Sequence, residues 1–194
     1  MQVRSNPETR EAKLLLITGS LRSASLNRQL VLVASQAFGG TSILADLDVP
    51  LYNGDLEKAQ GVPDGVLRLH AQIAESDAVA ISTPEYNQSL SGVLKNALDW
   101  VSRVGKNPWT EKPVAIMSAA AGRAGGARAQ YALRLALNPF QPRLLTGPEV
   151  MVAHAPEQFD NHGQLTSEAY QRKLNTLMGK LANEAYQQIR NACE

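Results

Sequence analysis

Leu14-Leu15-Leu16-Ile17-Thr18 runs directly into Gly19-Ser20-Leu21-Arg22-Ser23-Ala24-Ser25-Leu26-Asn27. An apolar run ends in a glycine; small hydroxylic residues, one arginine and one asparagine follow; a helical pattern then begins. That order is strand, anion-binding loop, helix. A helix start presents unpaired N–H groups and the positive end of its dipole, and so favours a phosphate. Gly19 lets the backbone turn sharply. Ser20, Ser25 and Asn27 can donate to phosphate oxygens, and Arg22 adds charge and a fork of donors. No Gly-Lys-Ser/Thr closes the loop, so it is not a Walker A loop, and it has no Gly-x-Gly-x-x-Gly fingerprint. A plain turn ending in an N-cap uses the same residue types. The loop alone leaves both readings open.

Outward from this stretch, apolar runs alternate with helical patterns. From Asn27 to Phe38, Leu30, Val31, Ala34 and Ala37 recur at helical spacing, and Gly39-Gly40 closes the helix. Ile43 to Leu47 reads as a second strand, followed by a turn-rich segment from Asp48 to Gly65. Val66, Leu69 and Ile73 mark a helix. Ala78 to Thr83 is a strand apolar on both faces, as a central parallel strand should be. Ser91 to about Arg103 is a helix with Val93, Leu94, Ala97, Leu98 and Val101 on its buried side. Pro113 to Ala120 is a fourth strand and Ala127 to Leu137 another helix. Leu144 to Val152 is a fifth strand, interrupted by Gly147-Pro148. The last helix is capped by Thr166 and carries the stripe Tyr170, Leu174, Leu177, Leu181, Ala185. Such alternation implies an α/β protein: an open parallel sheet with helices on both faces, joined by right-handed crossovers.

At 194 residues, 44% of them hydrophobic, one domain with a full core is expected. There is no internal repeat, low-complexity tract or interdomain linker. Residues 1–12 are polar, without a signal-peptide core, and read as a disordered tail ahead of a domain over 13–194. A net charge of +1 gives no electrostatic case for nucleic acid or an anionic membrane, and no apolar run reaches membrane-spanning length. The single cysteine, Cys193, fits a reducing cytoplasm, and its terminal place argues against a catalytic thiol.

In an open parallel sheet, ligands bind beyond the carboxyl ends of the strands. Three loops leave those ends, Gly19 to Asn27, Pro84 to Ser91 and Ala119 to Gly126, and they are the most unusual stretches in composition. In the second, Pro84 fixes the backbone, Tyr86 offers a ring, and Asn87 and Ser89 can pair with ring carbonyl or nitrogen atoms. A proline turn with a helix cap at Ser89 or Ser91 is the other account. In the third, Ala119 to Gly126, small residues let a planar group approach the backbone. Gly125-Gly126 ahead of a helix is poor helix chemistry and points to a functional reason for the pair.

These loops, Gly19-Ser20-Leu21-Arg22-Ser23-Ala24-Ser25-Leu26-Asn27, Pro84-Glu85-Tyr86-Asn87 and Gly122-Arg123-Ala124-Gly125-Gly126, resemble the NADPH-dependent FMN reductase family in order and spacing, above all its quinone- and chromate-reducing members. Ser91-Gly92-Val93-Leu94-Lys95-Asn96-Ala97-Leu98-Asp99-Trp100 is similar too, and the match covers nearly the whole chain after the tail. The resemblance implies a flavodoxin-like three-layer sandwich with a five-stranded parallel sheet in the order 2-1-3-4-5. It implies bound FMN, NADPH or NADH as co-substrate, and two-electron reduction of quinones, flavins or related small-molecule acceptors such as chromate or azo compounds. It implies a homodimer or tetramer. Carried over by position, Ser20, Arg22, Ser25, Leu26 and Asn27 surround the phosphate. Pro84, Glu85, Tyr86 and Asn87 line the isoalloxazine, and Ser118, Gly122, Gly125 and Gly126 close its other edge.

With the redox chemistry on the flavin, no acid–base pair of the protein is expected. No Gly-x-Ser-x-Gly elbow occurs, and His70, His154 and His162 lack metal-ligand spacing, so no metal is expected. Glu85 is expected to act through its backbone, because its carboxylate would oppose an anionic reduced ring. Trp100, beside a buried stripe, is a candidate mark of the dimer contact. Arg128, Tyr131 and Glu149 are either solvated or part of a further interface. A flavodoxin-like electron carrier fits less well, since such proteins dock through strong charge. A non-catalytic flavin-binding module is the remaining alternative.

Overall fold

The computed structural model of the chain describes residues 10–192. Its sheet is parallel throughout. Strands β1 (Lys13–Thr18), β2 (Thr41–Leu44), β3 (Ala78–Ser82) and β4 (Pro113–Ala119) lie in the order β2-β1-β3-β4. The place beyond β4 is shared by two short strands, β5 (Arg143–Leu144) and β6 (Val150–Val152), both paired to β4. The order 2-1-3-4-5 is thus the one expected, with its last strand split. The break contains Gly147-Pro148, and Pro148 has no N–H to give the ladder.

Successive side chains of β1 point to opposite faces. Leu14 and Leu16 pack with Leu30 and Val31 of α1 (Leu26–Phe38) and Leu174, Leu177 and Leu181 of α6 (Glu168–Asn191). Leu15 and Ile17 pack on the other face with Leu69 and Ile73 of α3 (Asp64–Glu75), Leu94 and Leu98 of α4 (Gly92–Val101), and Leu133 and Leu137 of α5 (Ala127–Leu137). A fully buried leucine contributes about 1.5–3 kcal/mol, and two cores of this size hold the sheet from both sides.

The strand register positions the rim. Thr18 pairs with Ser82, and Ser82 with Met117, so the loops leaving β1, β3 and β4 emerge side by side. The Gly19 N–H donates to the Ser82 carbonyl (2.8 Å), that of Thr83 to Met117 (3.1 Å) and that of Ala120 to Val152 (3.0 Å).

Several local expectations change. β2 begins at Thr41 and ends at Leu44, not Ile43 to Leu47. Ala45 still donates to Leu16 (2.8 Å), and Ala45 and Leu47 stay buried. The apolar spacing therefore outlasts the ladder, which ends where the Asp46 carboxylate accepts the Asp48 N–H (2.9 Å). The turn-rich segment holds a helix, α2 (Gly54–Gln60), capped by the Asn53 side chain; none of its residues is buried, so it has no apolar stripe. The cap of α6 is Ser167, because the N–H and hydroxyl of Thr166 both go to the Gln158 carbonyl. Trp100 is fully buried and marks no contact surface. Its indole N–H donates to the Pro50 carbonyl (2.7 Å), and its ring meets that of Tyr52 edge-on at 5.0 Å. Residues 1–9 of the expected tail lie outside the described residues, as does Cys193. Of the rest of that tail, Ala12 is fully buried and Arg10 pairs with Asp77. None of the described helices is long and apolar enough to cross a membrane.

Candidate functional site

A cavity of about 500 Å³ lies between the three rim loops. Of the residues expected at the site, Ser20, Arg22, Ser25, Leu26, Asn27, Pro84, Glu85 and Tyr86 line it. Asn87, Ser118, Gly122, Gly125 and Gly126 are not among its walls. Ala24, Ala119, Ala120, Ala121 and Pro156 complete it.

The first loop ends at Ser25, which caps α1. Its hydroxyl accepts the Arg28 N–H (3.3 Å) and its carbonyl accepts that of Gln29 (3.1 Å). The N–H groups of Leu26 and Asn27 then have no acceptor among the described residues. They are the orphan donors that every helix start leaves. Ser20 accepts from the Arg22 N–H (3.3 Å) and keeps its own proton to give. Arg22 is exposed and has no acidic partner among the described residues. Two main-chain N–H groups, two hydroxyls and a free guanidinium around one helix start suit a phosphate monoester.

Asn27 departs from expectation. Its amide nitrogen donates to the Ala119 carbonyl (2.9 Å); its amide oxygen accepts the Ala119 N–H (2.9 Å) and the Ser82 hydroxyl (2.8 Å). The side chain is buried and ties the first loop to the ends of β3 and β4. It holds two walls together, while its main-chain N–H remains for a ligand.

In the second loop, Tyr86 and Ser89 exchange N–H···O bonds of 3.1 and 3.0 Å. Asn87 and Gln88 take positive φ of 48° and 64°, the conformation of a tight two-residue hairpin. The turn sets half-exposed Tyr86 at the cavity mouth and points Asn87 outward into solvent. The carboxylate of Glu85, a residue expected to act through its backbone, caps α5 from across the site. It accepts the N–H of Arg128 (3.0 Å) and Ala129 (3.4 Å), and the Arg128 guanidinium lies 3.4 Å away. Gly126 at the N-cap position has no side chain to do this. The helix dipole and Arg128 thus offset a negative charge at the cavity wall.

The glycines of the third loop, expected to serve function directly, answer a packing need. Gly125 and Gly126 have φ of 59° and 88°. A Cβ on Gly125 would stand 2.6 Å from the Met151 carbonyl, and one on Gly126 2.7 Å from the Ser118 Cβ. Ser118 is fully buried beneath them, donating to the Gly125 carbonyl (2.6 Å) and accepting from Gln130 (2.8 Å). Ser118, Gly125 and Gly126 therefore support the loop, and Ala119 to Ala121 present its flat, small-residue face to the cavity. Pro156 follows β6, whose register against β4 brings it alongside, a placement with no local signal in the sequence.

A sequence model of one protein family, NADPH-dependent FMN reductase, matches residues 12–157, a span containing every wall of this cavity. The chain belongs to that family. An NAD(P)H-dependent FMN reductase of Pseudomonas aeruginosa is 45% identical over 177 residues, covering 86% of this chain and 94% of its own. A quinone reductase of Escherichia coli is 41% identical over 145 residues, covering 72% and 77%. Among solved structures, the flavoenzyme NAD(P)H:(acceptor) oxidoreductase FerB of Paracoccus denitrificans superposes with a TM-score of 0.81 at 33% identity, covering 91% of this chain and 98% of that one. The family brings its enzyme class, oxidoreductase, and its redox pair, FMN with NAD(P)H as electron donor. The residues present fit that cofactor. The donors around Leu26 suit its phosphate, and the slot between Pro84–Tyr86 and Ala119–Ala121 is lined by small or flat groups a planar ring can lie against.

Proposed function

We propose that the chain is an FMN-dependent NAD(P)H oxidoreductase that reduces quinones, flavins or related acceptors by two electrons in a ping-pong cycle. The observation that carries this reading is the joining, in one cavity, of an uncommitted anion-binding helix start and a flat, alanine-floored slot. Bound there, FMN would supply the redox chemistry between a reduced nicotinamide and an acceptor. The main-chain N–H groups of Leu26 and Asn27, with the Ser20 and Arg22 side chains, would hold its phosphate. Pro84, Glu85 and Tyr86 line one side of the slot and Ala119 to Ala121 the other. Glu85 keeps the start of α5 fixed, and Tyr86 stands where donor and acceptor enter in turn. Quinones are favoured by the relation to the Escherichia coli quinone reductase; chromate and azo compounds belong to the same acceptor range.

We place the protein in the cytoplasm, as a dimer or tetramer. Leu51, and Tyr131 with Leu135 on α5, are large apolar side chains left exposed, and a second copy would cover them. The test is the absorbance spectrum of the purified protein before and after anaerobic NADPH or NADH, then turnover with a quinone. Flavin bleaching followed by steady turnover is expected. A protein that takes up no FMN refutes the proposal; one that binds FMN and bleaches but does not turn over is an electron carrier. Size-exclusion of the FMN-loaded protein reads the oligomer, and a monomer defeats that part.

A further inference from the structure

A second cleft, of about 360 Å³, opens on the far side of the first loop and shares Ser20 and Arg22 with the cavity already described. It lies beyond the carboxyl ends of β1 and β2. Thr18 is at its base, and Arg28, Asp46 and Asp48 are on its walls. None of these four lines the first cavity.

Two features mark the cleft as more than a surface groove. Thr18 is only 6% exposed, and its hydroxyl has no hydrogen-bond partner. A buried polar atom without a partner is uncommon and calls for one. In addition, two guanidiniums and two carboxylates line the cleft, and none forms an ion pair among the described residues. Asp46 spends one carboxylate oxygen on the Asp48 N–H (2.9 Å) and keeps the other free.

A carboxylate just past the end of the second strand is where α/β nucleotide sites take ribose hydroxyls. Guanidiniums next to it suit a phosphate. The geometry points to a ribose-phosphate subsite: the adenosine end of the nicotinamide dinucleotide docks here, and its nicotinamide reaches over the Ser20–Arg22 ridge into the first cavity. Asp46 takes ribose hydroxyls and Arg28 takes phosphate, while Arg22, shared by the two cavities, stays with the FMN phosphate. This assignment rests on the NAD(P)H-dependent reading above, and it gives the unpaired Arg28 and Asp46 side chains a role that does not involve the flavin.

The test uses the FMN-loaded enzyme and the variants Arg28→Ala and Asp46→Ala, both at exposed positions. Calorimetric titration with 5′-AMP and with 2′,5′-ADP reads the cleft without turnover. Saturable binding of either, lost in Arg28→Ala, is expected. Tighter 5′-AMP places the free diol on Asp46, and tighter 2′,5′-ADP places the extra phosphate on Arg28. Kinetically, each variant should raise the KM for the dinucleotide about tenfold, as loss of one charged hydrogen bond does. The KM for reduced nicotinamide mononucleotide, which lacks the adenosine half, and the KM for the quinone should stay as they were. The subsite is overturned if neither adenosine nucleotide binds, or if the variants shift dinucleotide and mononucleotide alike. If no reduced nicotinamide, whole or half, bleaches the flavin, the reductase reading itself fails, and the calorimetry still decides the cleft.

Discussion

Replacing Asn27 with alanine tests whether this side chain ties the site together or holds the cofactor. It makes three buried hydrogen bonds, two to the main chain of Ala119 and one to the Ser82 hydroxyl. Truncation leaves those three groups without partners. Each buried orphan costs about 1–3 kcal/mol, and water entering the space left by the amide offsets part of it. The expected loss is about 3–5 kcal/mol, a large share of the roughly 5–15 kcal/mol that holds a domain folded. At about 2–4 °C per kcal/mol for a chain of this length, the melting temperature should fall by about 6–20 °C. The assay is urea unfolding of flavin-stripped protein, with an unchanged m-value required, followed by FMN titration through flavin fluorescence. Arg22→Ala is the counterpart. Arg22 is exposed and unpaired among the described residues, so stability should hold within about 0.5 kcal/mol. Loss of one charge-assisted hydrogen bond should weaken FMN about ten- to a hundredfold. Should Asn27→Ala unfold at the parent's urea midpoint while its FMN affinity drops more than tenfold, the clamp assignment is wrong and Asn27 is a ligand.

Gly126→Ala and Gly39→Ala separate backbone strain from crowding. Both residues have positive φ, but an added Cβ meets nothing at Gly39 and Ser118 at 2.7 Å at Gly126. Gly39→Ala should cost about 1 kcal/mol and Gly126→Ala about 2–4 kcal/mol; equal urea midpoints would show that the crowding is relieved. Glu85→Ala should destabilise by about 1 kcal/mol, because two N–H groups at the start of α5 lose their acceptor, and Glu85→Gln, which keeps an acceptor oxygen, by less. Matching denaturation curves for these two and the parent would remove the carboxylate from its capping role. The N–H of Gln164, with those of His162 and Gly163, holds the Asp160 carboxyl below its ordinary value of 3.8. A depressed carboxyl contributes stability above its unfolded pKa and loses it as pH falls through the folded one. Asp160→Asn should therefore flatten the fall in stability below about pH 4 and leave the pH 6–8 region with its parental slope; a parental acid limb in the variant contradicts this.

The sequence by itself determined the layering. Continuous apolar runs such as Leu14 to Ile17 and Ala78 to Ile81, alternating with helical stripes, require a sheet covered on both faces. Right-handed crossovers then bring the carboxyl ends of its strands to one rim. That is enough to nominate the three loops, because chain connectivity alone carries them there. What a polar side chain does at that rim was decided only in three dimensions. Asn27, Glu85 and Ser118 have the donors and acceptors a ligand site needs, and their partners are other parts of the chain: Ala119 lies 92 positions from Asn27, and Arg128 lies 43 from Glu85. A side-chain amide or carboxylate has the same hydrogen-bonding capacity whether it meets a ligand or a main chain, so its identity does not disclose its partner. Pro156 entered the cavity through strand register, α2 formed without burying any residue, and the buried Trp100 donates its indole N–H to the distant Pro50 carbonyl. Local patterns report burial and backbone preference, whereas these placements depend on contacts between segments far apart in the chain, which exist only once the sheet has assembled.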